Sequence, residues 1–211
     1  MASVLPEAVN RRLEELASHD DPILNEMEAL AREKKFPIVG PECGRVLHQV
    51  AVMTGAKRVF EMGSGYGYST LWFAKAMGAD GRVFHTDGDA KNTALAMEYL
   101  KRAGQDNKVA FKTGDAREVI QRTPGEFDVI FIDIDKEQYP EAYELARTRV
   151  RVGGAILIHN TLWSGRIVDE KEQEATTKGI REYLRLIWAD PNFVSSFLPM
   201  HDGLGMSVRV K

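Results

Sequence analysis

The sequence has very little cysteine and no long apolar run. Cys43 is the single cysteine among 211 residues, so an internal disulfide is excluded and Cys43 is expected to be a packed or exposed thiol. No stretch approaches the roughly 18 apolar residues of a membrane-spanning helix. The first ten residues also lack the basic and apolar regions of an export signal. We therefore expect a water-soluble, cytoplasmic protein that does not bind membranes.

An excess of positive charge is also missing. The chain has 28 Lys and Arg residues against 31 Asp and Glu residues, for a formal net charge of -3, so nothing favours binding to a phosphate backbone. Nucleic acid is therefore excluded as an expected partner. The length and the 44% hydrophobic content are typical of one globular domain. We predict a single domain over residues 1–211, with an N-terminal helical layer at 1–50 and an α/β core at 51–211.

The core alternates short apolar runs with stretches of helical length. The predicted strands are 58–62, 82–86, 108–112, 127–133 and 154–159, and the helices between them are 68–77, 89–103, 115–122 and 138–150. This alternation predicts parallel βαβ units with helices on both faces of the sheet. Two further apolar runs, 193–198 and 204–210, flank a turn-rich segment and predict an antiparallel hairpin. The expected fold is a doubly wound, Rossmann-like sheet of seven strands, mostly parallel.

A glycine-rich turn follows the first of these strands. Gly63 and Gly65 match the start of a dinucleotide fingerprint, but Tyr68 occupies the position where that fingerprint has its third glycine. Glu61, at the strand end, would repel a phosphate and would suit a cationic ligand that carries an amino group. S-adenosylmethionine has an ammonium and a sulfonium group, so the turn favours this ligand over a dinucleotide.

The next two strand ends each carry an aspartate. Asp87 is placed where a carboxylate can accept hydrogen bonds from both hydroxyls of a ribose. Asp89 is expected to cap the helix that follows. Asp115 has two interpretations of equal weight, since it could accept a hydrogen bond from an adenine amino group or cap its own helix.

The fourth and fifth strands end in reactive groups that should meet at one edge of the sheet. They are Asp133 and Lys136 after the fourth strand, and His159, Asn160 and Trp163 after the fifth. At this point the sequence resembles the class I S-adenosylmethionine-dependent O-methyltransferases of the caffeoyl-CoA and catechol type. The likeness lies in EMGSGYGYSTL, FDVIFIDIDKEQY, VGGAILIHNTLWSG and LPMHDGLGMSVRVK, and it extends over most of the chain from about residue 37.

The resemblance implies methyl transfer from S-adenosylmethionine to a hydroxyl of a small aromatic acceptor, a catechol or a hydroxycinnamate, by a homodimeric enzyme. In the family, the residues that match Asp133 and Asn160 bind a divalent metal, and the lysine that matches Lys136 acts on the phenolic proton. A nearby cation lowers the pKa of an acceptor hydroxyl, and a lysine whose own pKa is depressed can then take the proton. Trp163 is expected either to form an aromatic wall at the acceptor, under a cover formed by residues 164–174, or to be an ordinary packing residue.

The sequence departs from the family at His159, where relatives have an aspartate. Replacing a carboxylate by imidazole removes a charge and disfavours magnesium, so a divalent cation remains open and magnesium is doubtful. Three hypotheses remain open for His159: a transition-metal ligand together with Asp133 and Asn160, a base or hydrogen-bond partner at a metal-free site, or a structural residue.

These arguments and the resemblance together give a set of predicted site residues. The predicted catalytic residues are Lys136, Asp133 and His159. If a metal is present, its predicted ligands are Asp133, His159 and Asn160. The predicted substrate contact is Trp163. The residues predicted to bind the methyl donor are Val39, Glu61, Gly63, Ser64, Gly65, Ser69, Asp87, Gly88, Asp115, Ala116 and Asp133. Two alternative functions stay open: a methyltransferase of the same fold with a non-catechol acceptor and no metal, and a noncatalytic module that binds S-adenosylmethionine.

Overall fold

One sheet organises residues 5–211, the part of the chain that the computed structural model describes. Its strands are β1 (Arg58–Met62), β2 (Arg82–Asp87), β3 (Val109–Thr113), β4 (Phe127–Ile132), β5 (Val150–His159), β6 (Phe193–Leu198) and β7 (Leu204–Arg209). Their order across the sheet is β3-β2-β1-β4-β5-β7-β6. The pairs from β3 to β5 are parallel, whereas β7 is antiparallel to both β5 and β6. The predicted fold class, with its C-terminal antiparallel hairpin, is confirmed.

Eight α-helices flank this sheet within the same described residues. They are α1 (Glu7–Ala17), α2 (Pro22–Lys34), α3 (Gly40–Met53), α4 (Tyr68–Ala76), α5 (Ala90–Arg102), α6 (Ala116–Arg122), α7 (Tyr139–Arg147) and α8 (Ala175–Ala189). The first three form the N-terminal helical layer, and α3 continues three residues beyond the boundary predicted at residue 50. None of the helices in the described residues is long and apolar enough to cross a membrane.

Local chemistry explains where the N-terminal helices begin and end. Asp21 caps α2, because its Oδ1 accepts hydrogen bonds from the backbone N–H groups of Ile23 and Leu24, each at 3.0 Å. Pro22 occupies the first helical position, where its missing N–H has no cost. Lys35 adopts left-handed backbone angles and ends the helix.

The core consists of two apolar layers, one on each face of the sheet. β4 has the sequence FDVIFI and contributes to both layers, because successive side chains of a strand point to opposite faces. Val129 and Phe131 pack in the layer that contains α3 and α4, whereas Ile130 and Ile132 pack in the layer that contains α7 and α8. A strand buried on both faces in this way is typical of a parallel sheet.

The start of β5 differs from the prediction. We expected a helix up to residue 150 and a strand from residue 154, but α7 ends at Arg147 and β5 begins at Val150. Gly153 has a φ of 77°, and the pairing with β4 shifts register between Phe127 and Val129. This irregularity concealed the first residues of the strand, because glycine is normally depleted within strands.

A cavity at the carboxyl ends of the parallel strands

All the predicted site residues except Glu61 line one cavity. It lies at the carboxyl ends of the parallel strands, where β1 lies between β2 and β4. Its volume is about 650 Å³, which is in the range of small-molecule sites. The predicted residues that line it are Val39, Gly63, Ser64, Gly65, Ser69, Asp87, Gly88, Asp115, Ala116, Asp133, Lys136, His159, Asn160 and Trp163. The lining residues that we did not predict are Phe36, Pro37, Ile38, Tyr66, Tyr68, Thr86, Gly114, Ile134, Asp135 and Gln138.

The glycine-rich turn forms one wall because its backbone passes very close to β4. Gly63 has a φ of 83°, and a Cβ at this position would lie 2.2 Å from the backbone oxygen of Asp133. The Asp133 N–H in turn donates to the Met62 carbonyl at 2.8 Å. Only glycine fits this combination of positive φ and close approach. The turn thereby fixes the end of β1 against the backbone that carries Asp133.

Asp87 stabilises the same turn from β2. Its Oδ2 accepts a hydrogen bond from the Gly65 N–H at 2.9 Å, and its Oδ1 accepts from the Asp89 N–H at 2.8 Å and from Asn92 Nδ2 at 3.1 Å. The carboxylate is therefore held in one orientation at the cavity. Each carboxylate oxygen has more than one acceptor direction, so capacity remains for hydrogen bonds from a ligand.

Asp115 adopts the second of its two predicted roles, since it caps α6. Its Oδ1 accepts a hydrogen bond from the Arg117 N–H at 2.8 Å, and its Oδ2 lies 2.6 Å from the Arg117 guanidinium. The Arg117 hydrogen bond lowers the pKa of the Asp115 carboxyl, in opposition to a smaller effect of burial. Asp115 also lines the cavity, so the cap and the contact with a ligand are compatible in this geometry.

Glu61 differs from the prediction, because it does not line the cavity. The side chain is fully buried, and its Oε2 accepts a hydrogen bond from the Thr70 hydroxyl, while the hydroxyls of Ser69 and Ser64 act on the same carboxyl. Burial raises the pKa of Glu61 to about 7, although these hydroxyl groups act in the opposite direction. Ser64 and Ser69 are the residues that reach the cavity. The structure therefore places Glu61 behind the two serines that line the cavity, and not at the cavity itself.

The reacting end of the cavity contains a connected group of three side chains. Lys136 Nζ lies 3.0 Å from Asp133 Oδ1, and His159 Nδ1 lies 3.3 Å from Asp133 Oδ2. Lys136 Nζ also donates to the Ile134 carbonyl at 3.1 Å. Burial alone would raise the pKa of the Asp133 carboxyl, but the Lys136 ammonium and His159 hold it well below its usual range. Asp133 is consequently a carboxylate that accepts from both neighbours.

This arrangement determines the tautomer of a neutral His159. An ionised carboxylate can only accept a hydrogen bond, so the proton between the two residues belongs to His159 Nδ1. The lone pair is then on Nε2, which is buried and has no hydrogen-bond partner in the structure. The backbone of His159 is held at the end of β5, where the Tyr139 hydroxyl donates to the His159 carbonyl at 2.7 Å. His159, which lines the cavity, thus has a buried ring nitrogen without a hydrogen-bond partner.

The same residues do not form a ready ligand set for a divalent cation. Each oxygen of Asp133 already faces a nitrogen, and Asn160 Nδ2 donates to Asp202 Oδ2 at 3.1 Å. Among residues 5–211 no group of three or more His, Cys, Asp or Glu side chains is placed to hold a metal ion. Hard cations need several oxygen ligands around one point, and this site would have to rearrange to supply them.

Trp163 lines the cavity, and the segment predicted to form a cover follows it. The segment begins with a 3₁₀ stretch, Trp163–Val168, and continues to the start of α8. The Arg181 guanidinium, on α8, donates to the backbone carbonyls of Arg166, Ile167, Asp169 and Glu172. One side chain therefore holds most of the predicted cover in place. Trp163 is partly buried and its ring centroid lies 5.9 Å from Lys136 Nζ.

A second cavity, of about 1150 Å³, adjoins the first. His159 and the segment 36–38 line both cavities. The second one is also lined by Glu42 at the start of α3 and by His201 and Asp202 in the β6–β7 turn. We interpreted the latter two residues only as part of a hairpin turn, and Glu42 only as part of a helix. No local pattern marks them, because positions 42, 159 and 201 meet only through the tertiary fold.

The fold and the site together define a class of protein. An open α/β sheet of this strand order, with a glycine-rich turn at its switch point and an antiparallel hairpin beyond β5, is the arrangement of S-adenosylmethionine-dependent methyltransferases. The sequence model of the O-methyltransferase family matches residues 14–210, and the chain belongs to this family. The predicted enzyme class, an S-adenosylmethionine-dependent O-methyltransferase, is thereby confirmed.

Individual relatives agree with this assignment. The chain is 30% identical over 213 residues to a catechol O-methyltransferase of Niastella koreensis, with 96% of each chain covered. The solved O-methyltransferase of Bacillus cereus, in complex with SAH, is 29% identical, with a TM-score of 0.87 over 96% of this chain and 97% of that one. The O-methyltransferase TomG of Streptomyces achromogenes, at 23% identity and a TM-score of 0.88 over 97% and 96% of the two chains, supports the fold alone.

Proposed function

We propose that this O-methyltransferase transfers a methyl group from S-adenosylmethionine to a hydroxyl of a small aromatic acceptor, a catechol or a hydroxycinnamate, with His159 as general base. The observation that carries the proposal is the contact between Asp133 and His159, which leaves the Nε2 lone pair of a neutral His159 without a partner in a residue that lines the cavity. The methyl donor would occupy the cavity next to the glycine-rich turn, and the acceptor hydroxyl would lie within reach of His159 Nε2.

The shape and chemistry of the cavity support binding of the donor. Gly88 and Gly114 both line it, and a Cβ at either position would meet nothing within 4 Å, so the backbone there leaves open space for a ligand. Asp87 lines the cavity with a carboxylate held by the Gly65 N–H, and we expect this carboxylate to accept hydrogen bonds from the ribose hydroxyls. The aromatic rings of Tyr66 and Trp163 also line the cavity, and aromatic faces attract a cation such as a sulfonium.

The proposed chemistry requires a proton acceptor beside the hydroxyl. A neutral hydroxyl is a poor nucleophile, and a base within hydrogen-bond reach contributes about 10²-fold or more to such reactions. His159 Nε2 takes the acceptor proton while the acceptor oxygen bonds to the methyl carbon and the bond between that carbon and the donor sulfur breaks. Asp133 stabilises the imidazolium that results, and Lys136 keeps Asp133 ionised.

We further propose that the reaction does not need a divalent cation. The basis is the donor set: the two oxygens of Asp133 face nitrogens of Lys136 and His159, and an imidazole stands at position 159 in place of a second carboxylate. In this arrangement His159 occupies the position of the family's aspartate, and as general base it activates the acceptor hydroxyl, which a metal would otherwise do. The competing hypothesis, a transition-metal site formed by Asp133, His159 and Asn160, predicts the opposite response to chelation.

The experiment is methyl transfer from labelled S-adenosylmethionine to a panel of catechols and hydroxycinnamates, in chelator and with added magnesium, manganese or zinc. We expect activity that is unchanged by chelator. Replacement His159→Gln should lower kcat by about 100-fold or more while the affinity for the donor is retained. His48→Gln is the matched control, since His48 is on α3 and is not among the residues that line either cavity.

Each other outcome has a definite meaning. Activity that chelation abolishes and a metal restores would contradict the metal-free mechanism and make His159 a metal ligand. An unchanged kcat in His159→Gln would contradict the general base. Donor binding without transfer to any acceptor on the panel would reject the proposed reaction in favour of a noncatalytic module or of another acceptor class.

Three coarser expectations are also part of the proposal. We propose one domain over residues 1–211, a cytoplasmic location and a homodimer. The homodimer follows from the family resemblance, and α1 offers it an exposed apolar face formed by Val9, Leu13 and Leu16. Size-exclusion chromatography with light scattering tests this assembly, and a monomer at micromolar concentration would contradict it.

A further inference from the structure

The residues that follow His159 have an unusual backbone. Asn160, Trp163 and Ser164 all have a positive φ, of 57°, 48° and 52°. Left-handed angles are unfavourable for residues with a side chain, so such a group of them persists only where neighbouring groups hold it. Asn160 and Trp163 also line the first cavity. The conformation of residues 160–164 therefore determines which side chains form that part of the cavity wall.

The β6–β7 turn lies directly against this segment. The Asp202 carbonyl accepts a hydrogen bond from the Leu162 N–H at 2.9 Å, and the Gly203 carbonyl accepts one from the Thr161 N–H at 3.2 Å. Gly203 has a φ of 88°, and a Cβ at this position would lie 2.6 Å from Leu162 Cγ. Only a glycine allows the turn to approach the segment this closely.

The side chain of Asp202 makes two further contacts with the segment. Its Oδ1 accepts a hydrogen bond from the Ser164 N–H, and its Oδ2 accepts one from Asn160 Nδ2 at 3.1 Å. Asp202 is only 1% exposed, and a buried carboxylate without donors would be costly. With its carbonyl on Leu162, this one residue contacts every second position from 160 to 164. The carboxylate and the left-handed segment therefore stabilise each other.

We propose that Asp202 is a positioning residue for the acceptor, because it holds residues 160–164 in the conformation that places the Trp163 ring at the cavity. The ring centroid lies 5.9 Å from Lys136 Nζ, next to the reacting group. This proposal rests on the proposed function, since it takes Trp163 as an acceptor contact. His159 lines both cavities, so an acceptor whose hydroxyl lies at His159 would meet Trp163 in the first cavity and extend its remaining atoms into the second.

The proposed base is held by contacts that do not involve the Asp202 side chain. His159 pairs with Leu204 in the sheet, its carbonyl accepts from the Tyr139 hydroxyl, and its Nδ1 contacts Asp133. Loss of the Asp202 contacts should therefore move Trp163 more than it moves His159. We expect acceptor binding to weaken while the chemical step is largely retained.

The first test is steady-state methyl transfer to catechol by the Asp202→Asn variant. An asparagine side chain keeps the shape but has only one acceptor oxygen, so either the Ser164 N–H or the Asn160 amide would face another donor. The KM for catechol should rise about tenfold, whereas kcat should change by less than about threefold. The affinity for S-adenosylhomocysteine, measured by calorimetric titration, should be unchanged.

The matched control is Asp190→Asn, at the opposite end of the same hairpin. Asp190 is also buried, and its carboxylate accepts a hydrogen bond from the Asn192 N–H at 2.9 Å and pairs with Arg147 at 2.7 Å. This variant should lower the melting temperature of the protein but leave the KM for catechol unchanged. It separates the stability of the hairpin from the placement of Trp163.

A second readout follows the Trp163 ring without any acceptor. The chain has three tryptophans, so protein labelled with 5-fluorotryptophan gives three fluorine NMR signals, which single Trp→Phe variants assign to Trp72, Trp163 and Trp188. We expect the Trp163 signal to shift or broaden in Asp202→Asn and to stay unchanged in Asp190→Asn. The wild type offers a test that needs no variant, because the Ser164 amide should be protected from hydrogen exchange by its bond to a buried carboxylate.

The outcomes separate this proposal from the proposed function. An unchanged KM in folded Asp202→Asn, or an equal rise in Asp190→Asn, would overturn the positioning role and leave the O-methyltransferase proposal intact. A Ser164 amide that exchanges in the wild type as fast as in an unstructured chain would also overturn it. A Trp163 signal that shifts as expected, in a protein that methylates no acceptor, would reject the proposed reaction, while the hold of Asp202 on Trp163 would stand.

Discussion

The buried carboxyl of Glu61 makes the stability of this protein depend on pH near neutrality. In the unfolded chain its pKa is the ordinary value of 4.5, and burial raises the pKa to about 7 in the folded state. Between these two values the folded protein binds more protons than the unfolded chain. Stability contributed by the protonated carboxyl is therefore lost as the pH rises through this window.

The magnitude follows from the size of the shift. Between pH 5 and pH 8 the wild type should lose about 2 to 3 kcal/mol of unfolding free energy relative to a Glu61→Gln variant, which cannot ionise. The comparison with the variant is necessary because His85 acts in the opposite direction. Burial lowers the pKa of His85 to about 4, so its effect raises stability with pH over the acidic part of the same range.

The assay is urea unfolding of the donor-free protein at pH 5, 6, 7 and 8, for the wild type, Glu61→Gln and the surface control Glu98→Gln. The difference between the wild type and Glu61→Gln should widen steadily with pH, whereas Glu98→Gln should run parallel to the wild type. A difference that stays constant from pH 5 to pH 8 would refute the reasoning, because Glu61 would then be ionised or protonated in both states alike.

Three further predictions concern the cavity. Lys136 keeps Asp133 charged in our proposal, so Lys136→Met should lower kcat for methyl transfer about tenfold. A loss of 100-fold or more would make Lys136 the base instead. Arg181→Met removes the hydrogen bonds to four carbonyls of the predicted cover, and it should raise the KM for the acceptor about tenfold while the affinity for the donor is unchanged. An unchanged KM would show that the cover does not bind the acceptor. Gly63→Ala should lower the free energy of unfolding, measured in urea, by at least about 2 kcal/mol. Gly55→Ala is the control and should lower it less, because Gly55 also has a positive φ but has open space around it. Equal losses in the two variants would contradict the close approach at Gly63.

Much of the fold could be predicted because its strands are apolar runs separated by helices of regular length. The strand ends then placed Asp87, Asp133 and His159 at one edge without any knowledge of distances. When a strand is buried on both faces, the pattern of apolar residues does not show to which side a given side chain points. For this reason we predicted Glu61 at the cavity, although its side chain lies behind the cavity wall. The start of β5 was missed because Gly153 interrupts the apolar run.

The contacts around the second cavity could not be predicted from local sequence. Glu42, His159 and His201 are far apart along the chain, and each has an ordinary local role in a helix, a strand end or a turn. The family resemblance indicated a lysine base and a metal, but the hydrogen bonds of Asp133 to both Lys136 and His159 depend on tertiary geometry. That geometry is what favours the metal-free proposal.

Apart from His159 and residues 36–38, the two cavities are lined by different residues, and this has a consequence for how the enzyme could diversify. The walls around the donor come largely from turns after β1, β2, β3 and β4, which also hold the sheet together. The second cavity, where we propose that the acceptor binds, is lined largely by α1, α2, the start of α3 and the β6–β7 turn, which lie outside that repeating unit. Substitutions in these peripheral segments can alter which compound is methylated without disturbing the donor site, so acceptor range is the property that should change most readily in evolution or in the laboratory.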